Sequence, residues 1–457
     1  MMKTPFSRFP ITFMIIFNLV LFLLFLLLLE LFLRIFAPIG YSNVGYLHSP
    51  NGLKYGWGFE PYDVVRIENP DTHKVTYDNV NNHGWRDRNR TYLNKKNSFR
   101  VVVLGDSEVF GYIVPKEKTF TFLLEERLKK EGKNVEIINI AYSGWSTSQQ
   151  IEALKIDALK YKPNLVIVNF VGNDLSENVI HLDQSKFGNR IPFFHAVDTT
   201  GALKRHSNPR FISERDNITR QYLISKSEIL KRLWLVRLIS KSIHRKDHII
   251  AHGQINILRL IFGENLNKNF LLELEKNLGV EMNITQLTEF LSRFRLSGEQ
   301  KKVILRITEN RGFLREFNGF GQYKKPNYTN TEFGKRELEK DRSQWLLYTA
   351  IMKKMKTILQ KEKIYLAITS DYGPKRYDWS TYWHLASGIK TEKYNFLKIN
   401  DKLSVFAKKN GIFFVNPPLN DQRARNDPHL NEIGHRAKAD NLYKYLISNF
   451  NQEISLR

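Results

Sequence analysis

Ser107 follows an unbroken apolar run, Val101-Val102-Val103-Leu104, and the pair Gly105-Asp106. A serine hydroxyl becomes a nucleophile only when a neighbouring base takes its proton. Far along the chain, Asp427-Pro428-His429 supplies an imidazole for that task. Its carboxylate, two residues earlier, can hold the second ring nitrogen. Attack by such a serine on an ester carbonyl creates an oxyanion, which needs hydrogen-bond donors. Three candidates are the backbone N–H of Ser107, that of Gly144 in Ser143-Gly144, and the side-chain amide of Asn173 in Gly172-Asn173-Asp174. Gly144 carries no Cβ to keep a substrate off its backbone. Asp106 and Asp174 read as structural, holding their loops through backbone N–H groups.

These residues are far apart in sequence, so the elements between them must bring them together. Phe99–Leu104 has no polar alternation, which predicts a strand covered on both faces, as in a parallel sheet. Thr119 caps a predicted helix with Phe120, Leu123, Leu124 and Leu128 on one stripe. Val135–Ala141 is a second apolar strand. Ser146 and Gln149 form a capping-box pattern opening a helix to about Lys160, and Leu165–Val171 is a third strand. The order βαβαβ predicts an α/β fold of the doubly wound type. The alternation resumes with a helix over Ser343–Gln360, strands at Lys363–Thr369 and Gly411–Val415, and a last helix over Asn431–Phe450. Every candidate site residue then falls at or near the carboxyl end of a strand, where ligands bind in open parallel sheets.

The four blocks Gly105-Asp106-Ser107, Gly144, Gly172-Asn173-Asp174 and Asp427-Pro428-His429 resemble those of the SGNH hydrolases, also called the GDSL esterase/lipase family. The resemblance covers residues 98–180 and 342–450. It implies a flavodoxin-like three-layer α/β/α sandwich and hydrolysis or transfer of acyl groups. It also implies Ser107, His429 and Asp427 as triad and Ser107, Gly144 and Asn173 as oxyanion hole. Most members space acid and histidine as D-x-x-H, whereas this chain has D-x-H, and Asn426 stands at the three-back position. The tighter spacing resembles branches acting on polysaccharide O-acetyl groups, acetyltransferases among them. His435 is a rival base, but inside the last helix it is expected to face solvent.

Ile11–Leu29 is an apolar run interrupted only by Thr12 and Asn18. At about 1.5 Å per residue it spans roughly 28 Å, close to a bilayer core. The run continues through Phe36 without the small-residue site of a cleaved signal, so an uncleaved anchor over residues 11–36 is expected. Lys3 and Arg8 precede it with no acid, and Glu30 and Arg34 cancel after it. The positive-inside rule then leaves the amino terminus in the cytoplasm and the rest of the chain outside. Glu30 and Arg34, four apart, are expected to pair.

The chain divides into the tip and anchor 1–38, an irregular approach segment 39–97, a catalytic domain 98–180 plus 342–457, and an insertion 181–341. In the approach segment Trp85 is expected to pack a turn and His83 to be structural. The insertion is mainly helical and is placed to be a lid or substrate-binding subdomain. Its stretch Ser227–Lys241 carries Leu230, Leu233, Trp234 and Leu238 on one stripe. Packing on its own domain is the favoured reading, a membrane-surface helix the other. Tyr377, Trp379 and Trp383, in an aromatic stretch after the fourth strand, form either a packed loop or a wall for a sugar or acyl chain.

The formal charge of +24 points to an anionic partner such as lipid headgroups or an acidic polysaccharide. Nucleic acid is not expected, because no nucleic-acid-binding motif is present. With no cysteine, thiol catalysis and disulfides are excluded for this chain. No residue cluster has metal-ligand spacing, and no cofactor is expected. Three functions remain. One is an extracytoplasmic esterase acting on an acylated carbohydrate or lipid. Another is an acyltransferase with the same triad, supplied by a membrane acyl-donor partner. The last is a non-catalytic glycan-binding scaffold.

Overall fold

A computed structural model describes residues 11–36, 54–178, 191–209, 284–298, 332–371, 398–424 and 429–456, together with Asp427 and a few short pieces between. The first element, α1 (Ile11–Phe36), is long and apolar enough to cross a membrane. None of its span from Phe13 to Phe36 is buried against the protein. Near its end Glu30 accepts from Arg34 Nε at 2.8 Å, as the spacing predicts. The other Glu30 oxygen accepts from Ser227 Oγ and the Ile229 N–H, at 2.9 and 3.1 Å.

The approach segment is not irregular throughout. It holds β1 (Tyr41–Ser42), β2 (Val64–Glu68) and β3 (Val75–Asn79), the last two an antiparallel hairpin. Both strands are five residues long, too short for their alternation to stand out in sequence. Tyr55, Trp57, Phe59, Val65, Ile67, Val80 and Trp85 join the same buried core as the main sheet. His83 is structural as expected: its ring stacks on Tyr92, and Nδ1 lies 2.6 Å from the Tyr161 hydroxyl.

Next come β4 (Phe99–Gly105), α2 (Ser107–Phe110), α3 (Phe120–Lys130), β5 (Val135–Ala141), α4 (Thr147–Ile156), β6 (Leu165–Phe170) and α5 (Asn173–Glu177). Every residue of β4 and β6 is buried, as a strand covered on both faces requires. Thr119 caps α3 through the Phe122 N–H, and the Ser146–Gln149 capping box opens α4.

Beyond β6 stand β7 (Phe193–Val197) and β8 (Leu203–Ser207), an antiparallel hairpin, then β9 (His248–Ile249), β10 (Glu281–Met282) and α6 (Ile284–Ser292). The β7–β8 hairpin adds strands to an insertion expected to be mainly helical. α7 (Glu332–Lys361) starts earlier than the sequence predicts, and α8 (Lys398–Lys409) is an additional helix. The chain closes with β11 (Tyr365–Ser370), β12 (Phe413–Val415) and α9 (Glu432–Ser455).

The main sheet has the order β12-β11-β6-β4-β5, and every pairing in it is parallel. In order of appearance this is 5-4-3-1-2, the flavodoxin-like order. β5 and β6 flank β4 on opposite sides, so right-handed crossovers place α3 and α4 on opposite faces. α3 packs with α9, and α4 with α7. The result is the expected α/β/α sandwich. The switch point of such a sheet lies where successive connections leave in opposite directions, here at the carboxyl ends of β4 and β6.

Candidate active site

Ser107 sits at that switch point. β4 ends at Gly105, where a Cβ would lie 2.2 Å from the Val109 side chain, so only glycine lets α2 fold back over the strand. Asp106 caps α2 by accepting the Glu108 N–H at 3.0 Å. This presents Ser107, 8% exposed, at the rim. The turn is also held from the approach segment. Buried Arg86 donates Nη1 to the Phe110 and Gly111 carbonyls at 2.5 and 2.8 Å and Nη2 to that of Val114 at 2.6 Å. Its charge is met by Asp78. Arg86 is a site-building residue that its neighbourhood in sequence does not reveal.

His429 Nε2 lies 2.8 Å from Ser107 Oγ. On the other side of the ring, Nδ1 contacts Asp427 Oδ1, which also accepts the His429 backbone N–H at 3.0 Å. One carboxylate oxygen thus serves main chain and ring together, and a two-residue spacing suffices to orient the imidazole. Asn426 lies outside the described residues. The Tyr112 ring stands 4.6 Å from the His429 ring, a neighbour the sequence reading did not anticipate.

The electrostatics suit a base. Burial alone would lower the His429 pKa. The charge and hydrogen bond of Asp427, with Glu108 and Asp106 behind it, outweigh burial and hold it above the ordinary imidazole value. Asp106, whose Oδ2 is 3.1 Å from Ser107 Oγ, is pushed up to about 7 by burial and by Glu108. Near neutrality it therefore carries only part of a negative charge beside the serine.

The donor candidates lie at the same edge. Gly144 follows β5 with φ +78°, a left-handed conformation that favours glycine. Its turn is tied to the approach segment by Trp57 Nε1, which donates to the Ser143 carbonyl at 2.9 Å. Asn173 opens α5 just after β6; its side chain lies outside what the structure describes. Asp174 secures that turn as expected, accepting the Val171 N–H at 3.0 Å and the Thr147 hydroxyl at 2.9 Å. Tyr377, Trp379 and Trp383 lie outside the described residues, as does most of Ser227–Lys241. A groove of about 880 Å³ between the β7–β8 hairpin and α7 is lined by none of the triad residues. Among the described residues no group of three or more His, Asp or Glu is arranged to hold a metal.

His435 corrects an expectation. It is buried, 1% exposed, and stacked on Phe120, whose N–H donates to its Nδ1 at 3.3 Å. α9 packs this face onto α3, so the ring is structural and does not face solvent.

An acid, an imidazole and a serine stand in line at the switch point of a flavodoxin-like α/β sheet. Residues 101–194 match the family described as GDSL-like Lipase/Acylhydrolase. Over 77 residues the chain is 35% identical to a Vibrio mimicus protein named Arylesterase, covering 17% of this chain and 38% of that relative's length. The crystal structure of TesA is 27% identical over 17% of this chain and 43% of its own, with a TM-score of 0.16. That of a GDSL-like lipase from Bacteroides thetaiotaomicron is 12% identical over 79% of this chain and 92% of its own, with a TM-score of 0.30. The fold assignment rests on the sheet order.

Burial lowers the His435 pKa to about 3, far below that of a free imidazole. Below pH 6.5 the unfolded chain takes up a proton there that the folded chain refuses, so stability falls as pH drops from about 6.5 toward 3. The slope from one such group approaches about 1.4 kcal/mol per pH unit. In urea titrations of the detergent-solubilised chain, His435→Gln should flatten that pH dependence while lowering stability at pH 7. An unchanged slope would contradict the assignment.

Proposed function

We propose that this chain is a membrane-anchored serine ester hydrolase that removes an acyl group, typically O-acetyl, from a carbohydrate or other cell-envelope substrate. The observation that carries the reading is the continuous line from Asp427 through the His429 ring to Ser107 Oγ. His429 Nε2 takes the Ser107 proton as Oγ bonds to the ester carbonyl carbon. The oxyanion is met by the Ser107 and Gly144 N–H groups and the Asn173 side-chain amide. The imidazolium, steadied by Asp427, returns its proton to the leaving alcohol, and the Ser107 acyl ester remains. Water then attacks that ester, giving its proton to His429, and the acid and free serine are released. The curated relative's name, Arylesterase, and the family match both support ester chemistry. The charge of +24 suits an anionic polysaccharide or headgroup layer.

The anchor reading is supported by the exposed apolar helix α1 and by Lys3 and Arg8 before it. The catalytic domain would then work outside the cytoplasm, beside its envelope substrate.

Three experiments test these readings. A fluorophosphonate probe should label the solubilised full chain, and Ser107→Ala should abolish labelling and p-nitrophenyl acetate turnover. Asn173→Ala should lower kcat by about 10²–10³ with little change in KM, because a ground-state carbonyl hardly uses an oxyanion donor. A labelled alanine variant removes Ser107 from the mechanism; a KM effect alone makes Asn173 a substrate contact. For topology, the absence of native cysteine makes single-cysteine labelling clean. Leu419→Cys, at an 83% exposed position, should react with a membrane-impermeant maleimide on intact cells or spheroplasts, and Lys3→Cys should react only after lysis. The reverse pattern would invert the orientation.

A further inference from the structure

The residue after the candidate nucleophile is Glu108, a carboxylate in a place where fixed negative charge is costly. It is 3% exposed and directly follows Ser107 in the chain. A buried carboxylate persists only where partners meet it. Glu108 Oε1 lies 2.6 Å from Arg423 Nη1, and both side chains are almost wholly buried. Glu108 Oε2 accepts the backbone N–H of Leu430 at 3.1 Å. Leu430 directly follows His429.

Arg423 is itself part of the histidine loop's frame. It forms an antiparallel bridge with Leu430, and beside that bridge the Ala424 N–H donates to the His429 carbonyl at 3.1 Å. The Asn431 side chain donates to the Arg423 carbonyl at 3.0 Å, and the Asn431 N–H to that of Gln422 at 3.1 Å. Arg423 Nη2 donates to the Asp371 carbonyl at 2.5 Å, at the end of β11. The His429 side chain keeps 19% of its surface exposed, while Leu430 beside it is buried and Ala424 packs with Ile113 and Val114. Besides the Ser107–His429 contact and the packing of Tyr112, Ile113 and Val114 on this loop, the Glu108 carboxylate ties it to the turn bearing Ser107, once directly and once through Arg423.

We propose that Glu108 is a positioning residue: with Arg423 it clamps the His429 loop to the nucleophile's turn and so holds Nε2 within reach of Ser107 Oγ. The proposal rests on the triad reading above. A loop released from this clamp would let the ring drift. A drift of about 1 Å can cost on the order of 10²-fold in rate even when the substrate still binds.

The pair also sets opposite charges around one base. The titratable and charged groups facing His429 are Asp427 on its own loop, Asp106 and Glu108 on the nucleophile's turn, Arg423 across the bridge, and Tyr112 against the ring. His429 must be neutral to accept the serine proton, so activity is lost as pH falls through its pKa. Removing the Glu108 charge eases loss of the imidazolium proton and moves that acidic limb to lower pH. Removing the Arg423 charge leaves Glu108, and Asp421 3.8 Å from the guanidinium, without that cation and moves the limb to higher pH.

The test uses the full chain in detergent with p-nitrophenyl acetate and the variants Glu108→Gln, Arg423→Gln and the double. Each single variant should lower kcat roughly tenfold or more with KM changed less than about twofold, with melting followed in parallel. The acidic limbs of kcat/KM should shift in opposite directions. The double variant should bring the limb back toward wild type and lose less than the product of the single losses, as groups acting through one contact do. Single variants that keep kcat, or that lose activity only in step with folded fraction while the limb stays put, would make the pair a structural salt bridge and overturn the proposal. A wild-type chain without Ser107-dependent labelling would overturn the hydrolase reading, and this proposal with it. Labelling of wild type and Glu108→Gln at equal rates would overturn this proposal alone.

Discussion

The hydrogen bond between Ser107 and His429 joins residues 322 positions apart, and much of the structure exists to hold its two ends in place. One end is rigid by construction. β4 is buried along its whole length, Gly105 lets α2 fold over its tip, and Arg86 grips the carbonyls beyond α2. The other end is a loop between β12 and α9, of which Ala424 packs with Ile113 and Val114 and Leu430 is buried. It gains its position from the bridge at Arg423 and Leu430, from the Asn431 cap of α9, and from Asp427. Beneath it, Lys438 of α9 is buried against Asp371 and Asn169, at the ends of β11 and β6. α9 is thereby tied to the same sheet edge that presents the serine.

The segment before β4 belongs to this machinery. Arg86 and Asp78 hold the Ser107 turn, Trp57 holds the Gly144 turn, and the aromatic side chains from Tyr55 to Trp85 join the core of the main sheet. Arg90 extends the tie: it pairs with Asp87 and Glu125 and donates to the Ile137 carbonyl at 2.8 Å. Removing one member of such a buried ionic group leaves its partners charged in an apolar setting, which typically costs about 3–5 kcal/mol. A fragment beginning at residue 98 would lose all of these contacts.

The fold was largely legible in the sequence because its central strands are buried on both faces and so read as unbroken apolar runs. The Thr119 cap and the Ser146–Gln149 box were legible because capping is local chemistry. The hairpin of β2 and β3 was not, since its strands are short and Asp78 is buried only by virtue of Arg86. His435 was misjudged for a related reason: sequence places it on α9 but does not say which face meets α3. The site residues were visible as types at strand ends. Their connection was not, because Glu108 and Arg423 are 315 positions apart and neither stands in a recognisable pattern. The D-x-H spacing looked unusual until the loop showed one Asp427 oxygen meeting both the ring and the backbone of His429.

On the proposed function, ester turnover passes through Ser107. The most direct measurement is to quench the solubilised chain with acid during steady-state hydrolysis of p-nitrophenyl acetate, digest it, and locate the acyl group by mass spectrometry. An acetyl group is expected on the Ser107 hydroxyl, on the peptide running from β4 into α2, and none on that peptide when His429 is replaced by alanine. Turnover with the acetyl group on another residue, or undiminished turnover with no acyl group on Ser107 at any time, would contradict it.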